Sequence, residues 1–384
     1  MRCPPPELLP ASVSLGRQPR ILVVKLATLG DLLLATPLLR ALRERYPDAE
    51  LDVLTTHGSA PLLTESPLVN RVIALDKYRF DSLGSALSQP GPLAPVAGQL
   101  LALRRRRYDA VVLAHHLTLP AGRLKYRLLL TALRPRISVG LDNGHGAFLD
   151  LRVPDGGFGR SHEVEYGLRL AAALDAPLAS EAHAPDARDL GWASAPPERR
   201  TLAHPPRIAL HPGSGAYSVA RRWPVERFAE LARQLRDRLN AEVVVVGGPD
   251  EDHLTAHLLE LLGRPRWATA QTGAATPRGL AELLATCDML VGNDSFPMHL
   301  AVALNMRTVG VFGPTNARAW GPHARYPGQA AYIRRTDLAC SPCVYRGHAL
   351  GTPAGCPERP CLTGLPASAV LRAALRLLDE RRAG

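Results

Sequence analysis

The sequence predicts an α/β protein made of two successive domains, each with a mainly parallel sheet. Short runs rich in Val, Ile and Leu alternate with longer helical stretches, which is typical of parallel-sheet α/β units. The alternation stops in an Ala- and Pro-rich stretch near the middle of the chain and then begins again. A chain of 384 residues is also long enough for two domains of ordinary size.

The first domain is expected over residues 20–190, after a loose leader at residues 1–19. Its first strand, residues 21–24, is continuously apolar, as expected for a strand buried on both faces of a sheet. A helix over about residues 32–46 follows and ends at Pro47. Further strands of this domain are predicted at residues 51–54, 71–75, 110–113 and 137–140.

A linker is expected at residues 191–206, where Ala, Pro and charged residues show no periodicity. The second domain follows over residues 207–365, and the segment 366–384 ends the chain as an amphipathic helix. The strands predicted for this domain are residues 207–211, 242–246, 289–291 and 308–312. The helices predicted for it are residues 224–239, 252–262, a stretch ending near Cys287, and 297–304. A ligand-binding cleft is expected between the carboxyl ends of the two sheets.

Composition limits where the protein works and what it binds. No run of about 18 uncharged apolar residues occurs, so no transmembrane helix is predicted. The leader lacks the apolar centre of a secretory signal peptide, and the protein is expected in the cytoplasm. The net charge of +11 is either solvated surface charge or a sign of an anionic partner: nucleic acid, an acidic membrane or a phosphorylated substrate. Nucleic acid is the least favoured, because no recognised nucleic-acid-binding module is present.

Basic residues are concentrated between Leu101 and Arg136, where Asp109 is the one acidic residue. The nine basic residues of this stretch are Arg104, Arg105, Arg106, Arg107, Arg123, Lys125, Arg127, Arg134 and Arg136. Such a cluster is either a solvated face or a face that docks an anion. If it docks an anionic acceptor, the candidate contacts are Arg104, Arg105, Arg123 and Lys125.

The first candidate site is the segment Thr28-Leu29-Gly30-Asp31, directly after the first strand. Gly30 permits a tight strand-to-helix turn, and Asp31 then lies at the start of the helix. A carboxylate there can act as a general base that takes a proton from an attacking hydroxyl. The alternative is that Asp31 is only an N-cap for the helix. The dinucleotide fingerprint G-x-G-x-x-G is absent at this turn.

The second candidate site is the loop His211-Pro212-Gly213-Ser214-Gly215, which follows a strand of the second domain. Its small residues let backbone amides approach a phosphate closely, and Ser214 lies at its centre. Arg221 and Arg222 come shortly afterwards and offer bidentate contacts to a departing diphosphate. The alternative is a flexible surface turn.

The third candidate site is the segment from Gly292 to His299, again a strand-loop-helix junction. Asp294 or Ser295 can cap the helix, and proline is favoured in the first turn. The free amides and the dipole of such a helix start form an anion site. His299 is then either a ligand contact close to a bound phosphate or a packed core histidine.

Four cysteines lie in a Pro- and Gly-rich segment, residues 340–361, with spacings of two, twelve and four residues. They are Cys340, Cys343, Cys356 and Cys361. In a cytoplasmic protein this pattern favours a structural zinc ion over disulfides, with reduced or redox-active thiols as the alternative. A catalytic thiol is not expected, because no paired base lies near the cysteines.

These motifs together resemble glycosyltransferase family nine, the ADP-heptose:lipopolysaccharide heptosyltransferases, over about residues 20–365. The resemblance rests on ILVVKLATLGDLLLATPLLRALRERYPDAELDVLT, on IALHPGSG with RRWPVERFAELA, on VVVVGGPDE, and on VGNDSFPMHLAVALNMRTVGVFGPT. The cysteine segment is also similar to that family's C-terminal region. Several motifs in this order are far more specific than any one of them.

The resemblance implies a GT-B architecture: two facing Rossmann-like domains, with the acceptor on the N-terminal one and the sugar nucleotide on the C-terminal one. It implies an inverting reaction that needs no metal or other cofactor for catalysis. The family's proposed base falls on Asp31, and its phosphate-binding lysine falls on Arg221. The arginine keeps the positive charge but replaces a compact ammonium with a planar guanidinium that can make two parallel hydrogen bonds. Its other donor-binding residues fall on Glu251, Asp294, Ser295 and His299.

Phe296 departs from the family, which usually has glycine at this position. If φ is negative there, the backbone amide can still contact a phosphate. If φ is positive, phenylalanine is strained and the donor pocket must differ. The resemblance otherwise implies transfer of heptose from ADP-heptose to an anionic Kdo-lipid A acceptor at the cytoplasmic face of the inner membrane. The alternatives are a transferase with another nucleotide sugar and a non-catalytic homologue that binds sugar nucleotides or lipopolysaccharide.

Overall fold

The computed structural model describes residues 12–75, 93–177, 183–192, 205–272 and 276–379, which divide into two compact units. The first unit contains the chain up to Gly157 with Glu163–His183 and Asp189–Gly191. The second contains Phe158–His162, Ala184–Arg188 and the chain from Trp192 onward. Two short segments before residue 190 thus belong to the second unit, contrary to the predicted boundary. Most of the predicted linker, residues 193–204, lies outside the described residues.

The first unit contains a six-stranded parallel sheet. Its strands are β1 (Arg20–Lys25), β2 (Glu50–Thr56), β3 (Arg71–Leu75), β4 (Ala110–Leu113), β5 (Ile137–Asp142) and β6 (Leu151–Pro154). Its α-helices among the described residues are α1 (Leu29–Leu33), α2 (Thr36–Arg45), α3 (Leu93–Arg105), α4 (Pro120–Leu133) and α5 (Glu163–Ala173). The strand order is β3-β2-β1-β4-β5-β6, so the winding direction reverses between β1 and β4. Ligands bind at the carboxyl ends of the strands beside such a reversal.

The second unit contains another six-stranded parallel sheet. Its strands are β7 (Arg207–His211), β8 (Glu242–Gly247), β9 (Ala268–Thr272), β10 (Met289–Asn293), β11 (Arg307–Val311) and β12 (Ala330–Ile333). Its α-helices among the described residues are α6 (Val225–Leu239), α7 (Asp252–Leu262), α8 (Pro277–Leu284), α9 (Phe296–Ala303), α10 (Ala317–Trp320), α11 (Pro360–Thr363) and α12 (Ala367–Asp379). The order β12-β11-β10-β7-β8-β9 places the reversal between β7 and β10.

The predicted strands are all present, and three further strands, β6, β9 and β12, were not predicted. These three lie at sheet edges, where short strands such as ATAQT carry a weak apolar pattern. The single helix predicted at residues 32–46 is instead two helices. The second of them, α2, starts at Thr36 and has Pro37 in its first turn, and proline there favours a new helix start.

The C-terminal helix α12 is part of the core of the second unit rather than an appendage to it. Its buried face, which includes Val370 and Leu378, belongs to one apolar cluster with Trp223 and Phe228. The indole N–H of Trp223 also donates to the carbonyl of Leu365 over 3.0 Å. The domain predicted to end at residue 365 therefore extends through α12.

The described part of the predicted leader is attached to the first unit. The backbone N–H of Val13 donates to the carbonyl of Ala173 over 3.0 Å. The N–H of Leu15 donates to the Tyr46 hydroxyl over 3.0 Å. The expectation of a loose leader is therefore wrong for residues 12–19, and residues 1–11 lie outside the described part.

Among the helices that the structure describes, none has the length and apolar character needed to cross a bilayer.

A buried ionic network ties β4 to α5 in the first unit. His116 follows β4, and its ring nitrogens lie 2.9 Å from the Asp155 carboxylate and 3.0 Å from the Glu163 carboxylate. Burial disfavours the protonated ring, but the two carboxylates outweigh it and raise the pKa of His116 to about 9. His116 is therefore a buried cation at neutral pH.

This network predicts a pH-dependent stability. A histidine with a raised pKa stabilises the folded state fully below its unfolded pKa of 6.5, and this contribution is lost as pH rises through about 9. We expect the His116 contribution to the free energy of unfolding to fall by about 3 kcal/mol across that range. Urea unfolding of the wild type and of His116→Gln, each at several pH values, measures it. Parallel pH dependences in the two proteins would contradict the assignment.

Candidate functional site

Asp31 lies in the first turn of α1, directly after β1. The N-cap is Thr28, whose backbone N–H and hydroxyl donate to Oδ2 of Asp31 over 3.3 and 2.7 Å. This is a capping box, in which the third helical residue bonds back to the cap. The alternative that Asp31 is itself the N-cap is therefore wrong. The Asp31 carboxylate accepts hydrogen bonds from the N-cap residue Thr28 and also lines an open cavity.

That cavity lies in the first unit and has a volume of about 310 Å³ that includes its opening to solvent. Its charged lining residues are Lys25, Asp31 and Glu163, and the phenol of Tyr166 also lines it. The other lining residues are apolar or glycine. The cavity adjoins the ends of β1 and β4, where the sheet winding reverses, as expected for a ligand site.

The predicted basic face is divided in the structure. Arg104 and Arg105 are exposed at the end of α3. The Arg123 guanidinium donates to two carbonyl oxygens next to its own helix, those of Leu117 and Thr118. Lys125 is buried, with its ammonium 5.5 Å from the centre of the Tyr126 ring. Lys125 is therefore not part of an exposed basic surface, whereas acceptor binding by the arginines stays a prediction.

In the second unit, the loop after β7 is wrapped around the carboxylate of Glu251. The backbone N–H groups of Ser214 and Gly215 each donate to Oε1 over 2.8 Å. The N–H of Gly248 and Nε2 of His211 bond to Oε2 over 3.2 and 3.0 Å. The amides predicted to cradle a phosphate are therefore bonded to an internal carboxylate in this structure.

The Glu251 carboxylate is buried and ionised. Burial works against ionisation, but hydrogen bonds from His211 and from the amides of Gly215 and Gly248 outweigh it and hold the pKa well below its usual value. A Cβ on Gly213 would lie only 2.1 Å from the carboxyl carbon of Glu251, so the close approach requires glycine. A direct contact between Glu251 and a sugar nucleotide stays a prediction. In this structure Glu251 holds the loop.

Asn293, at the end of β10, lies in the third candidate segment, but the sequence analysis gave it no role. Its side-chain N–H groups donate to the carbonyls of Pro212 and Gly213 over 2.8 and 3.0 Å. Its Oδ1 accepts from the N–H of Trp223 over 3.0 Å. Asn293 therefore joins the loop after β7 to the start of α6. An asparagine at a strand end was visible in the sequence, but its partners, 70 to 81 residues away, were not.

Arg221 joins the second and third predicted sites. Its guanidinium donates to the carbonyl oxygens of Ser214 and Asp294 over 2.7 and 2.8 Å. It also lies 3.6 Å from the carboxylate of Asp294 in an ion pair. The structure thus brings together Ser214, Arg221 and Asp294 as predicted. Arg222 lies beside the same loop, with Nε 3.3 Å from the Ser214 hydroxyl.

The helix α9 begins at Phe296, with Ser295 as its N-cap. The Ser295 side chain does not cap the helix but bonds to the carbonyl of Asn293 and to Nδ1 of His211, each over 3.1 Å. Because the N-cap side chain does not accept a hydrogen bond from the first backbone amides of the helix, this helix start is suited to binding an anion. Phe296 is the first helical residue and has negative φ, so the substitution of glycine causes no backbone strain.

His299 lies in the same helix and is buried. It lies one turn from the helix start. This position is compatible with both interpretations, a ligand contact and a core histidine. A second histidine, His162, lies near it and packs against the His323 ring at 4.5 Å between centroids. Burial first, and then His323, lower the pKa of His162 to about 3, so this ring is neutral.

The four predicted zinc ligands do not form a ready-made metal site. Cys340, Cys343 and Cys356 are exposed and Cys361 is buried, all as free thiols. Within the part of the chain that the structure describes, no three or more His, Cys, Asp or Glu side chains are arranged to hold a metal ion. The thiols still influence one another, because burial and then Cys343 and Cys356 raise the pKa of Cys361 to about 11. Zinc binding stays a prediction, which metal analysis of the purified protein tests.

The chain is similar in sequence to known heptosyltransferases. Lipopolysaccharide heptosyltransferase 2 of Escherichia coli is 29% identical over 317 residues, which cover 77% of this chain and 83% of that protein. Lipopolysaccharide heptosyltransferase 3 of Escherichia coli is 26% identical over 306 residues, covering 76% and 83%.

A solved structure of the Escherichia coli heptosyltransferase WaaC with ADP-2-deoxy-2-fluoro heptose has a TM-score of 0.62 at 22% identity. The match covers 94% of this chain and 99% of that chain, and it confirms the predicted GT-B fold class with its two Rossmann-like domains. The model of glycosyltransferase family 9 (heptosyltransferase) matches residues 100–352, well over half of the sequence. The protein therefore belongs to glycosyltransferase family 9 and is a glycosyltransferase.

Proposed function

We propose that the protein transfers a heptose from ADP-heptose to a lipopolysaccharide core acceptor of the Kdo-lipid A type, with inversion at the anomeric carbon. The relatives that are named lipopolysaccharide heptosyltransferases support the sugar and the acceptor. The solved relative that holds an ADP-heptose analogue supports the donor. The observation that carries the proposal is Arg221, whose guanidinium bonds to the carbonyl of Ser214 and to that of Asp294, two residues before α9.

The donor diphosphate is proposed to bind at this junction. Arg221 and Arg222 supply positive charge from one side, and the amides at the start of α9 supply N–H donors from the other. These groups stabilise the negative charge that develops on ADP as it leaves. Because they already supply that charge, the proposed transfer step uses no metal ion. Phe296, the half-buried first residue of α9, is proposed to influence which nucleotide sugar binds.

Asp31 is proposed to be the general base. Its carboxylate takes the proton of the acceptor hydroxyl, and that oxygen attacks the anomeric carbon on the side opposite the diphosphate. The bond between the anomeric carbon and the phosphate oxygen breaks, and its electron pair leaves with ADP. One glycosidic bond forms, one glycosyl-phosphate bond breaks, and the proton remains on Asp31 until solvent removes it.

The acceptor is proposed to be anionic and to be presented at the cytoplasmic face of the inner membrane. The net charge of +11 favours attraction to a phosphorylated glycolipid. Arg104 and Arg105 are exposed and available for such contacts. Contact with the membrane would then be peripheral, through surface charge.

The base assignment predicts a selective loss of turnover in Asp31→Asn. The asparagine can still accept a hydrogen bond from Thr28, so the helix start should be preserved. We expect kcat with ADP-heptose to fall by about 10²–10⁴-fold, while the Kd for ADP is unchanged. Steady-state transfer assays and calorimetry measure the two quantities. A kcat equal to that of the wild type would show that Asp31 is not the base.

The close contact between Gly213 and Glu251 predicts that Gly213→Ala weakens donor binding. The added methyl group must displace Glu251 and with it the amides of Ser214 and Gly215, at a cost of about 1–3 kcal/mol. We expect a lower Tm and a Kd for ADP that rises about tenfold. The control is Gly122→Ala, where a Cβ has open space around it. If both variants bind ADP as the wild type does, the loop does not depend on this contact.

A further inference from the structure

Four leucines on or beside two helices of the first unit are half exposed to solvent. Leu101 lies on α3 and is 49% exposed, and Leu119, the N-cap of α4, is 55% exposed. Leu124 and Leu128 lie on α4 and are 55% and 51% exposed. Single exposed leucines are ordinary on a protein surface, whereas a group of them marks a surface that binds a partner.

The outer faces of α3 and α4 are neighbouring parts of one surface. The two helices contact each other, and their inner faces pack into the same apolar cluster, which contains Leu103 of α3 and Leu129 of α4. Leu124 and Leu128 are four residues apart, so they are neighbours on the outer face of α4. Leu101 lies on the outer face of α3. The exposed leucines are therefore grouped by the packing of the two helices.

The charges on these two helices are all positive. Neither α3 nor α4 contains an Asp or Glu. Arg104 and Arg105 end α3, Arg127 lies on α4, and all three are exposed. The helix α6 of the second unit, by contrast, carries both signs, and its Arg227 is paired with Glu230. We call the outer faces of α3 and α4, with their exposed leucines and arginines and with Leu119, the α3–α4 surface.

We propose that the α3–α4 surface docks the protein on an anionic lipid bilayer. Its leucines enter the boundary between headgroups and acyl chains, and its arginines contact lipid phosphates. A purely basic surface matches a layer of lipid phosphates, and the layer beneath them supplies the apolar environment that the leucines need. Peripheral contact through charge alone would not use the leucines. The importance of docking for catalysis rests on the proposed function, whereas lipid binding itself does not.

The two kinds of side chain respond differently to salt. Attraction between arginine and anionic lipid is screened over a Debye length, about 8 Å at physiological ionic strength. Burial of leucine does not depend on charge. Binding should therefore require anionic lipid and weaken as salt is added. Removing leucines, however, should weaken binding by the same factor at low and at high salt.

The test is co-sedimentation of the full-length protein with vesicles of phosphatidylethanolamine and phosphatidylglycerol, compared with vesicles of phosphatidylcholine alone. The double variant Leu124→Gln with Leu128→Gln should bind the anionic vesicles about tenfold more weakly, because two large apolar side chains no longer leave water. Glutamine is a good helix former, so α4 should be preserved. Leu124→Trp should instead strengthen binding, because tryptophan favours the membrane interface.

Matched controls separate the position of a side chain from its type. Tyr326→Gln removes an exposed apolar side chain of the second unit and should leave vesicle binding unchanged. Arg104→Gln with Arg105→Gln should weaken binding at low salt. Arg372→Gln with Arg376→Gln removes the same charge from the exposed side of α12 and should have a much smaller effect.

Three outcomes would overturn the proposal. Binding that responds to the arginines but not to the leucines would mean that charge alone makes the contact. Equal binding to neutral vesicles would mean that the arginines are not needed. A dimer that depends on Leu124 and Leu128 in sedimentation velocity, with vesicle binding unchanged, would make this surface an interface between two copies of the chain. Should the double variant not fold, weaker or unchanged binding by Leu124→Trp overturns the proposal.

Transfer assays then connect docking to the reaction. If the proposed function holds, the double variant should lose transfer to Kdo-lipid A held in vesicles. With the same acceptor dispersed in detergent, its transfer rate should match that of the wild type. Failure of the wild type to transfer heptose in either form would refute the proposed function. The sedimentation result uses no donor or acceptor, so it would still decide whether the α3–α4 surface binds lipid.

Discussion

The candidate site of the second unit depends on one buried carboxylate, that of Glu251. A negative charge in a protein interior is tolerated only when donors surround it, and here two loops and a histidine supply them. The arrangement requires glycine at position 213 and shapes the loop that presents Ser214. Arg221 then connects this loop to the start of α9. Protein contacts therefore hold the loop after β7 next to the start of α9, the two elements proposed to bind the diphosphate.

Both candidate sites follow from the way parallel sheets are wound. In each unit the winding reverses beside the strand that precedes the predicted motif, β1 for Asp31 and β7 and β10 for the donor site. Sequence could predict these sites because strand, loop and helix are adjacent in the chain and each leaves a local pattern. The same locality placed the helix after β10 within one residue of its observed start at Phe296, whereas the order of the strands in each sheet was not predicted.

What the sequence could not supply are contacts between distant residues. The charge of His116 is stabilised by Asp155 and Glu163, which are 39 and 47 residues away in the sequence. Asn293 likewise bonds to the carbonyl of Pro212, 81 residues away. Glu251 was predicted as a donor contact, and only the fold revealed its backbone partners. Burial could not be predicted either: Lys125 was grouped with an exposed basic face because of its sequence neighbours, but it is buried in the first unit. Local patterns carry no information on which polar groups meet after folding.

The place of α12 in the core has a consequence for how the protein is made. The apolar cluster of the second unit contains the buried face of this helix and the segment before it, so the cluster is incomplete until they emerge from the ribosome. The sheet strands of that unit, from Arg207 to Ile333, are all synthesised earlier and must wait with part of their apolar surface uncovered. The strands of the first unit are covered in part by α5, which ends at Ala173, so most of this unit can condense while the second unit is still being translated. Synthesis therefore separates the completion of the two units in time.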